Sequence, residues 1–453
     1  MPGGKSRFAV ARALPLFASL LAFCGCSGCH STAPKPAPAV PPPVAKPAPP
    51  PPPERIFPVM LGIDALEADG FAAVKGKRIG LLTHPAAVNR RGVSTIEVLR
   101  HAPGVQLVAL YAVEHGIYGD IPAGKNFGDQ VDKRTGLPVF SLYTGKSHRP
   151  SKEQLKSIDA LVVDLQDIGT RSYTFISAMK EAMEGCFENG KEIVVLDRPN
   201  PLGGLKVDGP LLDAALVSYV GAFRVPYVHG LTIGELARMA AAAPGVLTIP
   251  DAVRTRGKLV VVPMRGWTRS MRWPDTGLAW VATSPKIPDF SAVEGYPMTG
   301  LGCEPPSGFR SGVGEQFPFR GLSHLTIRSE IVEKELRTLN IPGVQIRRIA
   351  APNAKNGSGA TGLFVEISDW DAWRPTELNF WLMKLTCKLE GRNPYATAKL
   401  NDKSLFTRLV GSSAFVKDLA TKGKNIDLET WFSTWREQAK VYQEQSRKYW
   451  LYW

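Results

Sequence analysis

Four short apolar runs, spaced so that other elements fit between them, constrain the fold of this chain more than any other feature. They are rich in Val, Ile and Leu and nearly continuous: RIGLLTH (78–84), VQLVALYAV (105–113), IDALVVDL (158–165) and EIVVLD (192–197). Such runs are typical of strands that are buried on both faces of a parallel sheet. A parallel sheet needs crossover helices, so the pattern predicts an α/β fold.

Helix signals lie where this fold needs them. Three segments, STIE (94–97), SKEQ (151–154) and TIGE (232–235), have the form of a capping box. The segment 172–190 has apolar residues at helical spacing and ends at Gly190. We therefore predict a Rossmann-like, doubly wound parallel sheet domain over 57–298.

The pattern changes near residue 300. One strand is predicted over 363–369, and two amphipathic helices over 376–391 and 428–449. This order favours a smaller α+β C-terminal domain over 299–453.

The N-terminus reads as a targeting segment. Residues 1–25 join a positive start to a short apolar stretch, which is typical of a lipoprotein-type signal peptide. Cys26 follows a small residue and is the best lipidation candidate, with Cys29 second; a plain secretory signal is the alternative. The Pro-rich linker, 26–56, favours an extended stalk. We expect a protein of the bacterial cell envelope, either a membrane-anchored lipoprotein or periplasmic.

Composition and missing motifs narrow the partners. The net charge of +14 suits anionic partners, or serves solubility alone. No Lys/Arg run interleaved with aromatics occurs, so no nucleic-acid partner is predicted. The chain has neither a G-x-G-x-x-G turn nor a P-loop, which argues against a nucleotide cofactor, and no G-x-S-x-G elbow. Cys186, Cys303 and Cys387 show no metal-ligand spacing.

Polar side chains follow the predicted strands. Ligands of an open parallel sheet bind beyond the carboxyl ends of its strands, so these residues are expected to share one rim. Any one of them could instead cap a loop, and a metal hydrolase is the weaker alternative because no HExxH-type spacing occurs. The rim candidates are His84, Glu114, His115, Asp164, Asp167, Arg171, Arg198, Asn200 and His229.

Several of these residues lie in motifs that resemble the exo-β-N-acetylmuramidase family (NamZ-like). The matching motifs, in order, are EHGIYGD (114–120), DKRTGLPVFSLYTGK (132–146), DLQDIGTRSYTFIS (164–177), VLDRPNPLGG (195–204), VHGLTIGEL (228–236) and MRWPDTGLAWVATSPKIP (271–288). The resemblance implies a Rossmann-like domain, a smaller C-terminal domain and a cleft between them. It also implies release of terminal N-acetylmuramic acid from peptidoglycan fragments, without a cofactor.

The resemblance also implies roles for residues. Glu114 is the candidate general acid, because it matches the Glu of the family's E-H-G motif, and His115 orients it or contacts the sugar. Asp167 or Asp164 supplies a second carboxylate or orders its loop. A forked guanidinium suits the lactyl carboxylate of muramic acid, so Arg171 or Arg198 is the candidate partner. The remaining substrate-binding candidates are His84, Tyr173, Asn200, His229 and Glu304.

One segment departs from the family pattern. Where the family usually carries a run of acidic residues, this chain reads GCEPPSGFRSGVGEQF (302–317). Either Glu304 or Glu315 substitutes in a shifted loop, or the substrate differs, or activity is lost. The leading prediction is a glycosidase; the alternative is a catalytically weakened lipoprotein that binds muropeptides in the same cleft.

Overall fold

A seven-stranded sheet organises the first part of the computed structural model, which describes residues 59–145, 147–352 and 359–453. The signal segment, Cys26 and the Pro-rich linker lie outside the described residues, so those predictions stay open. The strands of this sheet are β1 (Arg78–Thr83), β2 (Gln106–Ala112), β3 (Gln130–Val131), β4 (Pro138–Ser141), β5 (Ala160–Val163), β6 (Glu192–Leu196) and β7 (Lys258–Val262).

The strand order places the site. The sheet runs β3-β4-β2-β1-β5-β6-β7, and every pairing is parallel except that of β3 with β4. The chain leaves β1 toward β2 on one side and later returns to β5 on the other. The carboxyl ends of β1, β2 and β5 therefore flank the switch point, where open α/β sheets bind ligands. All four residues of β5 are buried, as the continuous apolar run predicts.

Helices cover both faces of this sheet and fill the later part of the chain. The capping boxes at Ser151 and Thr232 form as predicted, and the Ser94 side chain accepts from the Glu97 amide. The helices are α1 (Gly62–Ala68), α2 (Thr95–Arg100), α3 (Lys152–Leu155), α4 (Phe175–Glu188), α5 (Ile233–Ala242), α6 (Asp251–Arg254), α7 (Phe290–Thr299), α8 (Ser329–Arg337), α9 (Glu377–Leu389), α10 (Pro394–Thr397), α11 (Leu405–Val410), α12 (Ser413–Lys422) and α13 (Leu428–Ser446).

A second, antiparallel sheet follows α7. Its order is β10-β11-β9-β8, and α8 packs on β10. The strands are β8 (Phe309–Ser311), β9 (Gly321–His324), β10 (Val344–Pro352) and β11 (Gly359–Ile367). The predicted smaller α+β part is thus confirmed. All the described residues belong to one compact unit, so a domain boundary near 298 stays a prediction.

The last residues of the chain pack back onto the first sheet. Tyr452 donates its hydroxyl proton to Asp197 Oδ2 at 2.6 Å, and its oxygen accepts from the Met264 amide at 2.9 Å. Asp197 follows β6 directly and is fully buried. Beside this contact, the guanidinium of Arg269 lies 3.7 Å from the centroid of the Trp450 ring. No described helix is long and apolar enough to cross a membrane.

Candidate active site

Glu114 and His115 form a tight turn directly after β2. His115 has φ 74° and Gly116 has φ 75°, a left-handed conformation that a non-glycine residue adopts at a cost. The His115 ring holds the turn, because its Nδ1 lies 2.9 Å from the Ile121 carbonyl oxygen. The strained turn therefore fixes where the Glu114 side chain leaves the sheet.

Three donors hold the carboxylate of Glu114. Its Oε1 accepts from the Gly124 amide at 2.8 Å and from the Tyr143 hydroxyl at 3.2 Å. Its Oε2 accepts from the Thr174 hydroxyl at 3.2 Å. These donors come from three different segments of the chain, so the half-buried carboxylate is fixed in one position and acts as an acceptor.

Asp167 pairs with His229 below the same rim. Asp167 Oδ2 lies 3.3 Å from His229 Nε2 and accepts from the Gly169 amide at 2.8 Å. His229 Nδ1 accepts from the Leu231 amide at 3.2 Å, which places the proton of a neutral ring on Nε2, facing Asp167. Asp167 Oδ1 has no hydrogen-bond partner among the described residues although it is buried. One oxygen of Asp167 is thus fixed and the other is available.

Tyr296 lies where these acidic groups converge. Burial first, and then the charges of Glu304, Glu114 and Asp167, raise the pKa of Tyr296 to about 12, while a hydrogen bond to Ser172 opposes the change. The Ser172 hydroxyl lies 3.2 Å from the Tyr296 oxygen. The phenol is therefore held neutral, and the charges of three carboxyl groups act on it.

Glu304 approaches from the divergent segment 302–317. It is partly buried, and burial raises the pKa of its carboxyl above the usual range. Its charge acts on both Tyr296 and Tyr227, whereas Glu315 is exposed and takes no part in this network. Of the two replacements considered from the sequence, the structure therefore places Glu304 at the site.

His84 and Tyr173 pack beneath the rim. His84 Nε2 accepts from the Gln166 amide at 2.9 Å, so the ring carries its proton on Nδ1. Burial, followed by the charges of Arg198 and His115, lowers the pKa of His84 well below its ordinary value. Tyr173 donates to the Thr283 hydroxyl at 2.7 Å. Both rings are almost fully buried, so they shape the loops rather than present a polar atom openly.

Asp164 and Arg198 form a closed ion pair. Arg198 Nε lies 2.5 Å from Asp164 Oδ1, and its Nη2 lies 2.9 Å from Oδ2. The Thr95 hydroxyl also donates to Asp164, and Arg198 donates to the Val88 carbonyl. Both side chains are buried, so this pair joins the loops after β1, β5 and β6. The guanidinium expected to bind the lactyl group is thus paired with Asp164 and the Val88 carbonyl, and Asp164, a candidate second carboxylate, is paired with Arg198.

Asn200 closes the turn after Arg198. Its side-chain oxygen accepts from the Leu202 amide at 3.0 Å, and its amide nitrogen donates to the Leu231 carbonyl at 3.1 Å. The side chain is 2 % exposed. Asn200 therefore stabilises the Arg-Pro-Asn-Pro turn through these two hydrogen bonds.

Arg171 also lies away from the expected sugar contact. Its guanidinium is fully buried and donates to four backbone carbonyls, those of Pro210, Val225, Leu409 and Val410. Burial lowers its pKa to about 10. Because two of these carbonyls belong to the end of α11, Arg171 joins the first sheet's loops to the helical part. Its placement supports that structural role.

The structure thus brings together Glu114, Asp167 and Glu304, and adds Tyr296 and Ser172, which sequence reasoning missed. Ser172 lies 2.8 Å from the Tyr227 oxygen, which completes a chain of three hydroxyls. The signal for Ser172 was its place in the motif GTRSYT, three residues after Gly169. Tyr296 gave no comparable signal, because it lies on α7, far along the chain. Within the described residues, no cluster of His, Cys, Asp and Glu could hold a metal ion.

Two family descriptions match nearly all of the chain from residue 79 to residue 452. The description "Exo-beta-N-acetylmuramidase NamZ, N-terminal" matches residues 79–291, and its C-terminal counterpart matches 294–452. The chain is also 38% identical, over 329 residues, to "Peptidoglycan beta-N-acetylmuramidase NamZ" of Bacillus subtilis (strain 168). That alignment covers 72% of this chain and 77% of the relative.

Two solved structures share the architecture. Both are DUF1343 family proteins of Bacteroides fragilis NCTC 9343. The first has a TM-score of 0.77 at 35% identity and covers 88% of this chain and 100% of its own. The second has a TM-score of 0.62 at 26% identity, with 87% and 99% covered. The α/β sheet followed by a smaller antiparallel part is therefore the fold of a known group.

Proposed function

Since this chain belongs to the exo-β-N-acetylmuramidase NamZ family, we propose that it is a glycosidase that releases terminal N-acetylmuramic acid from peptidoglycan fragments. The observation that carries the proposal is that three donors fix the Glu114 carboxylate beyond β2, while the charges of Glu114, Asp167 and Glu304 all act on the Tyr296 hydroxyl. Glycoside cleavage needs one carboxyl that donates a proton and usually a second that stays ionised. The site offers carboxyl groups in two different environments.

The different environments of Glu304 and Glu114 suggest which carboxyl group donates the proton and which stays ionised. Glu304 is desolvated and its pKa is raised, which suits a carboxyl that is protonated before it donates to the leaving oxygen. Glu114 is surrounded by three donors, which suits a carboxylate that accepts hydrogen bonds while positive charge develops on the sugar. We therefore propose that Glu304 is the general acid, the role that the sequence motif predicts for Glu114, and that Glu114 is the carboxylate that stays ionised. Tyr296 contributes a neutral hydroxyl between them.

A direct assay tests the function. Purified protein is incubated with the disaccharide MurNAc–GlcNAc and, as a matched control, with GlcNAc–GlcNAc, and the released sugars are identified by mass spectrometry. Release of MurNAc from the first substrate alone supports the proposal. Binding of MurNAc–GlcNAc without any release would instead support the binding-protein alternative, and hydrolysis of both substrates at equal rates would contradict muramic acid specificity.

We also propose an envelope location, with Cys26 as the lipidated residue. The support is the positive start, the short apolar stretch and the small residue before Cys26. Mass spectrometry of the membrane fraction should identify a diacylglyceryl group on Cys26. A protein that is recovered in the soluble fraction with a different N-terminus would contradict the anchor.

A further inference from the structure

A cleft lies apart from the carboxyl cluster, and none of its lining residues belongs to that cluster. Its volume is about 540 Å³, which is within the range of ligand sites. Three segments form its walls: 202–208 after β6, 269–275 after β7, and 370–375 between β11 and α9. The cleft is thus built from both the first sheet's loops and the later part of the chain, the kind of place where ligand sites occur most often.

Cationic groups gather in this cleft around Trp370. The Arg272 guanidinium lies 4.9 Å from the Trp370 ring centroid, and the Lys206 ammonium lies 5.4 Å from it. The exposed Arg374 guanidinium makes no hydrogen bond or ion pair with any described residue, although the Arg374 carbonyl accepts from the Glu377 amide. Asp275 lies 3.4 Å from Arg272 Nε, so this guanidinium retains free donors. The cleft therefore offers an unpaired guanidinium and a partly paired one to an anion.

Lys206 holds the wall in place. Its ammonium donates to the carbonyls of Trp370, Asp371 and Trp373, and so bridges the loop after β6 to the loop before α9. Burial and the charge of Arg374 lower the pKa of Lys206, which shows that the two cations share one environment. The loop that carries Trp370 and Arg374 is thus anchored before any ligand arrives, so binding costs little ordering.

The cleft lies within reach of the carboxyl cluster. Asp208, in its wall, pairs with Val228, and Val228 pairs with Thr170 as two antiparallel bridges. Two chain spacings of this kind amount to about 10 Å. Thr170 belongs to the loop that carries Asp167, and Val228 precedes His229. A glycan chain of a few sugar units covers this distance.

We propose that the cleft binds the lactyl carboxylate of a second muramic acid unit, farther along the glycan than the bond that is cleaved. This inference rests on the proposed function, and it adds a preference for longer chains. The carboxylate would take its hydrogen bonds from Arg374 and Arg272, while the sugar covers the indole edge of Trp370. A carboxylate of a stem peptide has the same chemistry, so the test separates the two sources.

The test compares two peptide-free substrates, the disaccharide MurNAc–GlcNAc and the tetrasaccharide made of two such units, by kcat/KM. The wild-type protein should favour the tetrasaccharide. Arg374→Glu should lower the tetrasaccharide-to-disaccharide ratio on the order of tenfold, the effect of losing one charge-assisted hydrogen bond. Arg256→Glu is the matched control, since Arg256 is exposed and does not line the cleft, and its ratio should equal that of the wild type.

Each other outcome has a definite meaning. Equal kcat/KM for both substrates, with no effect of Arg374→Glu, overturns the inference while the proposed function stands. A preference that appears only with peptide-bearing fragments overturns the lactyl source. If neither substrate is cleaved, the proposed function fails. Calorimetry of the two oligosaccharides then tests whether the cleft binds the longer chain. The inference is supported only if the tetrasaccharide binds more tightly and Arg374→Glu removes the difference.

Discussion

His229 Nε2 lies 3.3 Å from Asp167 Oδ2, and the neighbouring Leu231 amide fixes which ring nitrogen carries the proton. His229 is completely buried, so it acts on a substrate only through Asp167. We therefore regard His229 as a positioning residue, not as the sugar ligand that its sequence motif predicts. Oδ1 of Asp167 has no hydrogen-bond partner among the described residues. We expect this oxygen to contact the substrate and His229 to hold Asp167 in position.

The first prediction concerns this pair. His229→Ala should lower kcat about tenfold or more with little change in KM, because it removes the ring that lies 3.3 Å from Asp167 Oδ2 and helps to hold that carboxylate in place. His229→Gln should recover part of the loss, since its amide can donate to Asp167. Steady-state kinetics on MurNAc–GlcNAc would check this. A rise in KM with unchanged kcat would show that His229 serves ground-state binding instead.

The second prediction separates the two glutamates by leaving group. Glu304→Gln should lower kcat on MurNAc–GlcNAc on the order of 10²-fold or more, but much less on a nitrophenyl muramide, whose leaving group needs little protonation. Glu114→Gln should slow both substrates alike. Glu315→Gln, in the same segment but exposed, is the control. The reverse pattern would restore Glu114 as the acid that its sequence motif predicts.

The same carboxyl sets a pH dependence. Burial raises the pKa of Glu304, and a general acid works only while protonated, so kcat/KM should fall as pH rises through that pKa. Glu304→Gln should remove this alkaline limb from the profile measured with MurNAc–GlcNAc, the substrate whose leaving group needs the proton. An unchanged alkaline limb in the variant would assign it to another group.

The third prediction concerns Arg171. Arg171→Met should lower the free energy of unfolding by about 3 kcal/mol or more, because it removes the side-chain donor of four buried carbonyls, of which that of Val225 keeps the Leu212 amide as a donor. Denaturant unfolding, or the soluble yield if folding fails, measures the loss, and exposed Arg256→Met is the control. Arg171→Lys should be intermediate. A stable Arg171→Met variant that selectively loses MurNAc binding over GlcNAc binding would support the sequence-based role instead.

The fourth prediction concerns Asp197. Burial raises its pKa from 3.8 to about 6, against the hydrogen bonds from Tyr452, Gly234 and Thr232. The folded state then binds a proton more tightly than the unfolded state between about pH 4 and 6. Stability should fall by about 3 kcal/mol as pH rises through this window, and the loss is complete above pH 6.

Comparison of the wild type with Asp197→Asn isolates this contribution, because the amide does not titrate. Between pH 4 and pH 7, the free energy of unfolding should fall by about 3 kcal/mol more in the wild type than in Asp197→Asn. Unfolding midpoints measured at the two pH values check this difference. Identical pH dependence in both proteins would show that the buried carboxyl keeps an ordinary pKa in the fold.

The sequence predicts the first sheet well because its central strands are buried on both faces. The continuous apolar run at 158–165 is typical of a strand that is buried on both faces, and β5 occupies its middle, Ala160–Val163. It does not predict β3, whose two residues are exposed and carry no apolar pattern. It also gives no sign of β4, in which only alternate residues are fully buried, whereas all four residues of β5 are. The extent of burial decides which strands can be recognised.

The candidate site divides along a similar line. Glu114 and Asp167 could be predicted because each follows a strand directly. Arg171 and Arg198 look like ligands in the sequence, but their partners are backbone carbonyls and a carboxylate that lie far along the chain. A sequence shows which groups need a partner, and only the fold shows whether the protein itself supplies one.

The contact between Asp197 and Tyr452 joins residues that are 255 positions apart, and it bears on how the protein is made. The last strand of the first sheet, β7, ends at Val262. At about 5–20 residues per second, the ribosome needs roughly 10 to 40 s to reach Tyr452 after that point. During this interval the buried carboxylate lacks one of its donors, so the nascent sheet should be easily digested by proteases. Resistance to digestion should arise only after Tyr452 has been made.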